Sequence, residues 1–372
     1  MTRVESTGSS LPPIILAVLP NWLGDVVMAT PLLALLHGAR SRDGAPVQVH
    51  AAVRRRWAPL FADDDRLAGL HVHERTGRHA GLRGAFRLAA GWRRLRPDAV
   101  VLCPPSLRMA LAARLAGVPC RVGYASDGRA PLLTVAPPAP RPRGVEHHAD
   151  ELLGLGMHLA RALALEVSPR PEAAPRLPSL DAIAPEATGE GPPVWILAPG
   201  ATYGTAKAWP APRVAEFLDL AVRDRGVRVA VVGDAGSRDL VATVRGARPG
   251  LPWRRELPGP PAVIDLAGRT DLRSLVALLR AAEAFLGNDS GVMHLAAALG
   301  VPTLGLFGSS SVAWTAPRGP QARALAAEGF PCQPCFRRTC NQRVFCLDTL
   351  APATVLATLL DLVAARPEAP RS

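Results

Sequence analysis

Short apolar segments alternate with longer amphipathic segments along most of this chain, and this alternation restricts the fold more than any other feature. In the first half, apolar runs predict strands at 14–19, 46–53 and 98–104, and amphipathic runs predict helices at 26–37 and 108–117. Alternating strands and helices build parallel sheets that carry helices on their faces. The first half is therefore predicted to be a Rossmann-like α/β domain.

The alternation restarts after a stretch at 166–193 in which proline, glycine and alanine dominate without any hydrophobic period. Strands are then predicted at 194–200, 227–234, 284–289 and 302–308, and helices at 211–225, 237–246, 272–283, 291–300 and 351–365. We predict domains at 1–180 and 194–349, a linker at 181–193, and a terminal helix and tail at 350–372. The predicted fold class is α/β, with two Rossmann-like domains facing each other across a cleft.

The net charge of +12 would attract nucleic acid, phosphorylated substrates or an anionic membrane surface. No zinc-finger, RNP or basic-zipper pattern occurs, so we expect no nucleic-acid partner. The arginine clusters at 54–56 and 93–96 are predicted to be solvated basic faces. No apolar run approaches the length of about 18 residues that spans a bilayer, and PPIILAVLP lacks a cleavage pattern typical of signal peptides. We therefore predict a cytoplasmic protein that touches a membrane through its basic surface.

Three loops stand at the carboxyl ends of predicted strands, where open α/β sheets bind ligands. The first is LPNWLGDVV at 19–27, which contains Gly24 and Asp25. Asp25 either caps the following helix or offers a carboxylate that acts as a general base. The residues leave both alternatives open.

The second loop, PGATYGTAKAWP at 199–210, contains Lys207, the only lysine among 43 lysines and arginines. Its glycines and threonines offer N–H and O–H donors that suit a phosphate cradle. A lysine supplies a compact point charge, whereas arginine supplies a broad planar fork. The alternative is an ordinary loop with one exposed lysine. Trp209 in this loop and Trp314 either frame a nucleotide pocket or pack in the core.

The third loop, GNDSGVMHLAAALG at 287–300, ends a strand and opens a helix. The N–H groups at the helix start near Ser290 and Gly291 are predicted to bind an anion. His294 lies one turn into the helix, where a structural hydrogen bond is the favoured interpretation. The later stretch GLFGSSS at 305–311 repeats the pattern and suggests the same pocket.

Four cysteines, Cys332, Cys335, Cys340 and Cys346, follow a C-x₂-C-x₄-C-x₅-C spacing. Their spacing makes a structural zinc site one candidate, although the second spacer is short for known zinc folds. Buried thiols and a redox pair are the alternatives. The acidic run at 63–65 is predicted to be a solvated turn rather than a metal-binding motif.

Taken in this order, the three loops resemble glycosyltransferase family 9, the ADP-heptose lipopolysaccharide heptosyltransferases with the GT-B fold. LPNWLGDVVMATPLL, PGATYGTAKAWP and NDSGVMHLAAALGVPTLGLFG resemble its motifs, and PPSLRMALAARLAGVPCRVGY resembles its acceptor-side segment. The sequence of the loop that contains Lys207 and the cysteine-rich segment most resemble the heptosyltransferase II subgroup.

The resemblance implies an inverting transfer that requires no metal or other cofactor. It implies that Asp25 is the catalytic base and that Lys207 holds the ADP-heptose diphosphate and stabilises the departing ADP. It implies donor contacts for Thr202, Asp289, Ser290, Gly291 and His294, and acceptor-side contacts for Ser106 and Arg108.

The resemblance also assigns acceptor binding to the first domain and nucleotide-sugar binding to the second. The implied acceptor is an anionic Kdo-lipid A-type molecule at the cytoplasmic face of the inner membrane, where the enzyme would bind peripherally. Two alternatives remain, namely a GT-B enzyme that uses another nucleotide sugar and a non-catalytic nucleotide-binding protein.

Overall fold

The computed structural model describes residues 12–74, 76–140, 144–168 and 173–366. Residues 1–11, 75, 141–143, 169–172 and 367–372 lie outside these described residues, and with them parts of the predicted first domain, of the proline-rich stretch and of the predicted tail. The chain divides into two compact units. The first unit comprises Met1–Pro140 and Ala149–Ala173, and the second comprises Arg141–His148 and Ala174–Ser372. The segment predicted as a linker at 181–193 lies within the second unit.

The first unit contains one sheet of five parallel strands in the order β3-β2-β1-β4-β5. The strands are β1 (Ile14–Val18), β2 (Gln48–Arg54), β3 (Gly69–His73), β4 (Ala99–Leu102) and β5 (Cys120–Val122). The central strands β1 and β4 are almost wholly apolar and buried, as expected for a parallel sheet covered on both faces. The chain reverses its direction across the sheet between β1 and β4, so their following loops form the switch point.

The helices of the first unit are α1 (Leu23–Met28), α2 (Thr30–Gly38), α3 (Gly81–Leu95), α4 (Leu107–Ala116) and α5 (His148–Leu163). The single helix predicted at 26–37 is two helices, because Pro31 has no N–H group to continue the ladder. The hydroxyl of Thr30 donates instead to the carbonyl oxygen of Val27 at 2.8 Å.

The second unit contains seven parallel strands in the order β12-β11-β10-β6-β7-β9-β8. The strands are β6 (Val194–Ala198), β7 (Arg228–Val231), β8 (Trp253–Arg254), β9 (Val263–Asp265), β10 (Ala284–Asn288), β11 (Thr303–Phe307) and β12 (Ala322–Ala326). After β6, the chain adds β7, β8 and β9 on one side of β6, and it then adds β10, β11 and β12 on the other side. The loops after β6 and β10 therefore meet at the switch point of this sheet.

The helices of the second unit are α6 (Ala211–Asp219), α7 (Arg238–Ala247), α8 (Leu272–Ala281), α9 (Gly291–Ala298), α10 (Val312–Thr315) and α11 (Pro352–Ala364). A π-helical turn at Leu220–Asp224 continues α6, which accounts for the longer helix predicted at 211–225. Among the described residues, no helix is both long and apolar enough to cross a membrane.

The sequence missed several elements, namely β3, β5, β8, β9, β12, α3, α5 and α10. The missed strands are two to five residues long, and β3, β8 and β12 are only partly buried at sheet edges, so they lack a distinct apolar run. The acidic turn at 63–65 is not wholly solvated. Asp64 is buried and paired with Arg66, whose Nη2 lies 2.6 Å from Oδ2.

Candidate active site

The loop after β1, at the switch point of the first unit, is held by side chains from the end of β2 and the turn that follows. Arg54 donates its Nε–H to the side-chain oxygen of Asn21 at 2.7 Å. Arg56 and Trp57 donate to the Asn21 carbonyl oxygen at 3.0 and 3.1 Å. The predicted solvated face is confirmed for Arg55 and Arg56, which are exposed, whereas Arg54 is half-buried. Arg54 and Arg56 also position this loop.

Asp25 lies in the first turn of α1 and does not cap it. The N-cap residue is Trp22, and Asp25 is the third residue of the helix, where it is half-buried. The N-cap interpretation is therefore wrong, because the helix begins three residues earlier than that interpretation requires. A carboxylate in the first turn is still favoured by the helix dipole, by about 0.3 to 1 kcal/mol.

The loop after β4 positions Ser106 and Arg108. Ser106 is the N-cap of α4, and its hydroxyl accepts a hydrogen bond from the Met109 N–H at 3.4 Å. Arg108 donates to the carbonyl oxygen of His79. Both side chains thus have structural contacts, and their acceptor-side roles stay predictions.

The switch point of the second unit brings Lys207 and Asp289 together from the loops after β6 and β10. The Lys207 Nζ lies 2.5 Å from Asp289 Oδ2, with side chains only 18% and 6% exposed. His294 Nε2 lies 3.9 Å from the other carboxylate oxygen, Oδ1. Lys207 is therefore not an exposed lysine in an ordinary loop, but one member of a largely buried ion pair.

Asn288, the last residue of β10, fixes both ends of the Lys207 loop. Its side-chain N–H donates to the Pro199 carbonyl oxygen at 2.6 Å, and its side-chain oxygen accepts from the Trp209 N–H at 3.1 Å. The indole of Trp209 is buried in the core and packs edge-on against Phe217. Of the two predicted roles for Trp209, the structure supports packing.

The middle of the Lys207 loop rests on the cysteine-rich segment. Ala206 donates its N–H to the Arg338 carbonyl oxygen at 2.9 Å, and the Tyr203 hydroxyl donates to the Phe336 carbonyl oxygen at 2.9 Å. A Cβ at Gly204 would lie 2.3 Å from the Arg338 carbonyl oxygen, so only glycine allows this approach. The Lys207 Nζ lies 5.3 Å from the centre of the Tyr203 ring. The ammonium group is thus held by its loop and by Asp289.

Thr202 contacts a residue that the sequence did not single out as a site residue. Its hydroxyl donates to the Asp234 Oδ2 at 3.3 Å, and the Ser237 hydroxyl donates to Oδ1 at 3.1 Å. Asp234 follows β7, the strand next to β6. The Gly-Asp pair that ends the predicted strand at 227–234 was the signal that could have identified it.

The start of α9 offers a buried hydroxyl that no other group in the described part of the chain bonds. Ser290 is the N-cap of this helix, yet its hydroxyl makes no capping bond and has no partner among the described residues. The hydroxyls of Ser309 and Ser310, after β11, are likewise buried without a partner in the described part of the chain. An unsatisfied buried polar group costs about 1 to 3 kcal/mol, so a cluster of them indicates a ligand site.

The segment at 144–148 adds two histidines that the sequence analysis missed. The Ser311 hydroxyl donates to the Gly144 carbonyl oxygen at 2.8 Å, and His147 Nε2 lies 2.9 Å from the carbonyl oxygen of Ala316. The His148 ring packs edge-on against Trp314 at 5.3 Å. No sequence pattern indicated that these residues, which lead into the first residue of α5, belong to the second unit.

Residues 86–345 match glycosyltransferase family 9 (heptosyltransferase), which is well over half of the 372 residues. The chain belongs to this family. It is therefore a glycosyl-transferring enzyme.

Known family 9 members resemble this chain over most of its length. Lipopolysaccharide heptosyltransferase 2 of Escherichia coli (strain K12) is 28% identical over 331 residues, covering 84% of this chain and 87% of that protein. The structure of E. coli ADP-heptose LPS heptosyltransferase II has a TM-score of 0.70 at 22% identity, covering 94% of this chain and 98% of that chain. E. coli heptosyltransferase WaaC with ADP has a TM-score of 0.68 at 16% identity, with coverages of 94% and 99%. The fold is the GT-B fold, as the sequence predicted.

The four cysteines of this family 9 member line one cavity together with Ser309 and Ala206. All four are free thiols. The described residues contain no group of three or more histidine, cysteine, aspartate or glutamate side chains that could hold a metal ion.

His294 is buried beside charged groups, and its protonation is suppressed. Its pKa is lowered to about 4, mainly by burial. Asp289 opposes this shift, and the nearby positive charges of His147, His148 and Lys207 contribute to it. The imidazole is therefore neutral near pH 7. It can hydrogen-bond, but it does not add a positive charge to the site.

This lowered pKa predicts an acid-sensitive contribution to stability. Because the folded-state pKa of His294 lies below the ordinary value of 6.5, its contribution is complete above about pH 6.5 and is lost as the pH falls towards 4. At about 1.4 kcal/mol per pH unit, we expect a loss of roughly 2 kcal/mol between pH 6.5 and 5. His294→Gln should reduce the loss measured by urea unfolding at the two pH values. His37→Gln, at an exposed histidine, is the control, and an unchanged loss in His294→Gln would contradict the assignment.

Proposed function

We propose that this protein transfers heptose from ADP-heptose onto the lipopolysaccharide inner core and that it adds the second heptose. One observation carries the proposal: the buried pair of Lys207 and Asp289 adjoins the start of α9, where the Ser290 hydroxyl has no partner among the described residues. Such a combination of a cation and free helix N–H groups suits a diphosphate. Relatives named heptosyltransferase 2 are 27–28% identical over most of the chain, which favours this subgroup.

The donor is proposed to bind at the switch point of the second unit. Lys207 would neutralise the diphosphate, and the N–H groups of the first turn of α9, from Ser290 and Gly291, would bind its oxygens. Asp289 would accept hydrogen bonds from the hydroxyls of the donor heptose. Thr202, which follows the same strand as Lys207, would contact the donor, and His294 would orient Asp289 as a neutral imidazole.

The transfer forms one glycosidic bond, breaks the bond between the heptose and ADP, and moves one proton from the acceptor hydroxyl. The acceptor hydroxyl oxygen attacks the anomeric carbon of the heptose as the bond from that carbon to the diphosphate oxygen breaks, which inverts the configuration. Asp25 takes the proton of the attacking hydroxyl, and Lys207 stabilises the charge that develops on ADP. General-base catalysis of this kind contributes about 10²- to 10⁴-fold. The protein groups thus suffice for both the proton and the leaving group.

The acceptor is proposed to be an anionic Kdo-lipid A-type molecule that the first unit binds. Ser106 ends the loop after β4 and Arg108 lies in the first turn of α4, at the same switch point as the Asp25 loop, which supports an acceptor role for that edge. A lipid-anchored acceptor would place the enzyme peripherally at the cytoplasmic face of the inner membrane.

Measurement of ADP release from ADP-heptose tests the proposal. With heptosyl-Kdo-lipid A as acceptor, we expect acceptor-dependent release, and with Kdo-lipid A lacking the first heptose we expect much less. Equal release with both acceptors would contradict the second-heptose assignment. No release with either acceptor, while another nucleotide sugar is consumed, would favour a different GT-B transferase. Binding of ADP without turnover of any nucleotide sugar would favour a nucleotide-binding protein.

A further inference from the structure

Helix α3 of the first unit exposes large apolar side chains. Leu82 is 70% exposed and Phe86 is 60% exposed, although leucine and phenylalanine are among the residues most often buried. They are four residues apart and therefore lie on the same face of the helix. The opposite face, with Leu88 and Trp92, packs into the core of the unit. The exposed pair is thus not an extension of the core.

The same exposed half of α3 is rich in arginine. Arg83, Arg87 and Arg94 are exposed there, at spacings that place them in a row beside Leu82 and Phe86. The sequence from 81 to 96 contains no aspartate or glutamate. An apolar row beside a basic row without acidic residues is typical of helices that lie in the interface of an anionic bilayer.

The position of α3 within the first unit fits such a contact. The helix follows β3 through the connection at 74–80, so its first turns, which carry Leu82 and Phe86, begin at the carboxyl edge of the sheet. The loops that contain Asp25 and Ser106 follow β1 and β4 at that same edge. A lipid-anchored acceptor must present its sugar to this edge of the sheet. The first turns of α3 would contact the bilayer beside the same edge.

We propose that the exposed face of α3, formed by Leu82, Arg83, Phe86, Arg87 and Arg94, docks on the surface of an anionic lipid bilayer. Leu82 and Phe86 enter the boundary between headgroups and acyl chains, and the arginines bind the headgroup phosphates. This inference assigns a surface to the proposed membrane contact and rests on the proposed function for its biological role. Charge complementarity favours lipid over a second copy of this chain, because two identical basic faces would repel each other.

Co-sedimentation of the full-length protein with vesicles tests the surface. One set contains phosphatidylethanolamine and phosphatidylglycerol, and the other contains phosphatidylcholine alone. We expect binding to the anionic set that weakens with added salt. Leu82→Ser/Phe86→Ser and Arg83→Ser/Arg94→Ser should each lower the partition coefficient at least tenfold. The matched controls, Val344→Ser and Arg248→Ser, change an exposed valine and an exposed arginine of the second unit and should bind as the unchanged protein does.

Two further readouts separate the possible failures. Thermal unfolding confirms that each variant is folded, and ADP release with a deacylated, water-soluble acceptor reports the chemistry without a membrane. Reduced vesicle binding with unchanged release on the soluble acceptor supports the docking surface. Unchanged vesicle binding in both double variants overturns it and leaves the proposed function standing. A dimer that Leu82→Ser/Phe86→Ser converts to a monomer in light scattering, without a change in vesicle binding, also overturns it and assigns the face to a second copy. Vesicle binding without ADP release on any acceptor would instead contradict the proposed function and leave the docking surface supported.

Discussion

Asp25→Asn is expected to lower turnover by about 10²- to 10⁴-fold, the usual contribution of a general base, while ADP binding stays within about twofold. Asparagine has nearly the shape of aspartate but cannot take the proton of the acceptor hydroxyl. Steady-state ADP release gives the turnover, and calorimetric titration with ADP gives the affinity. The expected pattern is a loss in kcat without a loss in donor affinity.

The matched control for Asp25→Asn is Asp239→Asn. Asp239 also lies in the first turn of a helix, α7, but it is exposed and far from any of the three motif loops in sequence. Both substitutions remove a carboxylate that favours a helix dipole, worth about 0.3 to 1 kcal/mol, so both should alter the unfolding midpoint to a similar extent. If Asp25→Asn lost ADP binding and stability along with turnover, Asp25 would be a structural residue and the base would have to be sought elsewhere.

Lys207→Arg is expected to lower kcat/KM by about 10²-fold or more, although it keeps the positive charge. The ammonium of Lys207 lies between Asp289 and the face of Tyr203, in a side-chain space that is only 18% exposed. The broad guanidinium fork has a different reach and geometry and would displace either the carboxylate or the diphosphate. Full turnover in Lys207→Arg would show that the site needs only a positive charge.

Removal of the charge at Lys207 should also destabilise the fold, because Asp289 would remain buried and unpaired. Breaking such a buried pair by removing one partner typically costs about 3 to 5 kcal/mol of the free energy of unfolding. We expect the cost of Lys207→Met to lie near the lower end of this range, since Lys207 is partly exposed. The double variant Lys207→Met/Asp289→Asn should regain most of this stability in urea unfolding but none of the turnover. Recovery of turnover along with stability would mean that the pair serves folding alone.

The sequence predicted the central strands and the loops that follow them more fully than the contacts those loops make. β1, β6, β10 and β11 were all located within one or two residues, because buried parallel strands are continuous apolar runs. The edge strands were missed, since short, half-buried strands lack that signal. Asp25 was assigned to a helix start, yet the cap turned out to be Trp22. Helix ends depend on local backbone geometry that a residue type only favours.

Several contacts of the candidate site join residues that are distant in sequence, and no local pattern could have indicated them. Asn21 is held by Arg54 at the end of β2 and by Arg56 in the turn that follows, and Thr202 contacts Asp234. His147 joins Ala316 across the second unit. These pairings follow from strand order and from a chain segment that returns to the other unit, neither of which alternation along the chain determines.

The sequence by itself determined that this chain builds two parallel α/β sheets and that loops of a composition suited to phosphate-binding chemistry follow its strands, because hydrophobic period and glycine-rich loop composition are local properties. It also determined that one lysine was available for that chemistry. Only the tertiary structure decided that Lys207 is paired with Asp289, that the cysteine-rich segment supports the Lys207 loop, and that α3 carries its apolar side chains outward. Pairing and exposure depend on which surfaces the strand order brings together, and that order is set by packing of the whole unit.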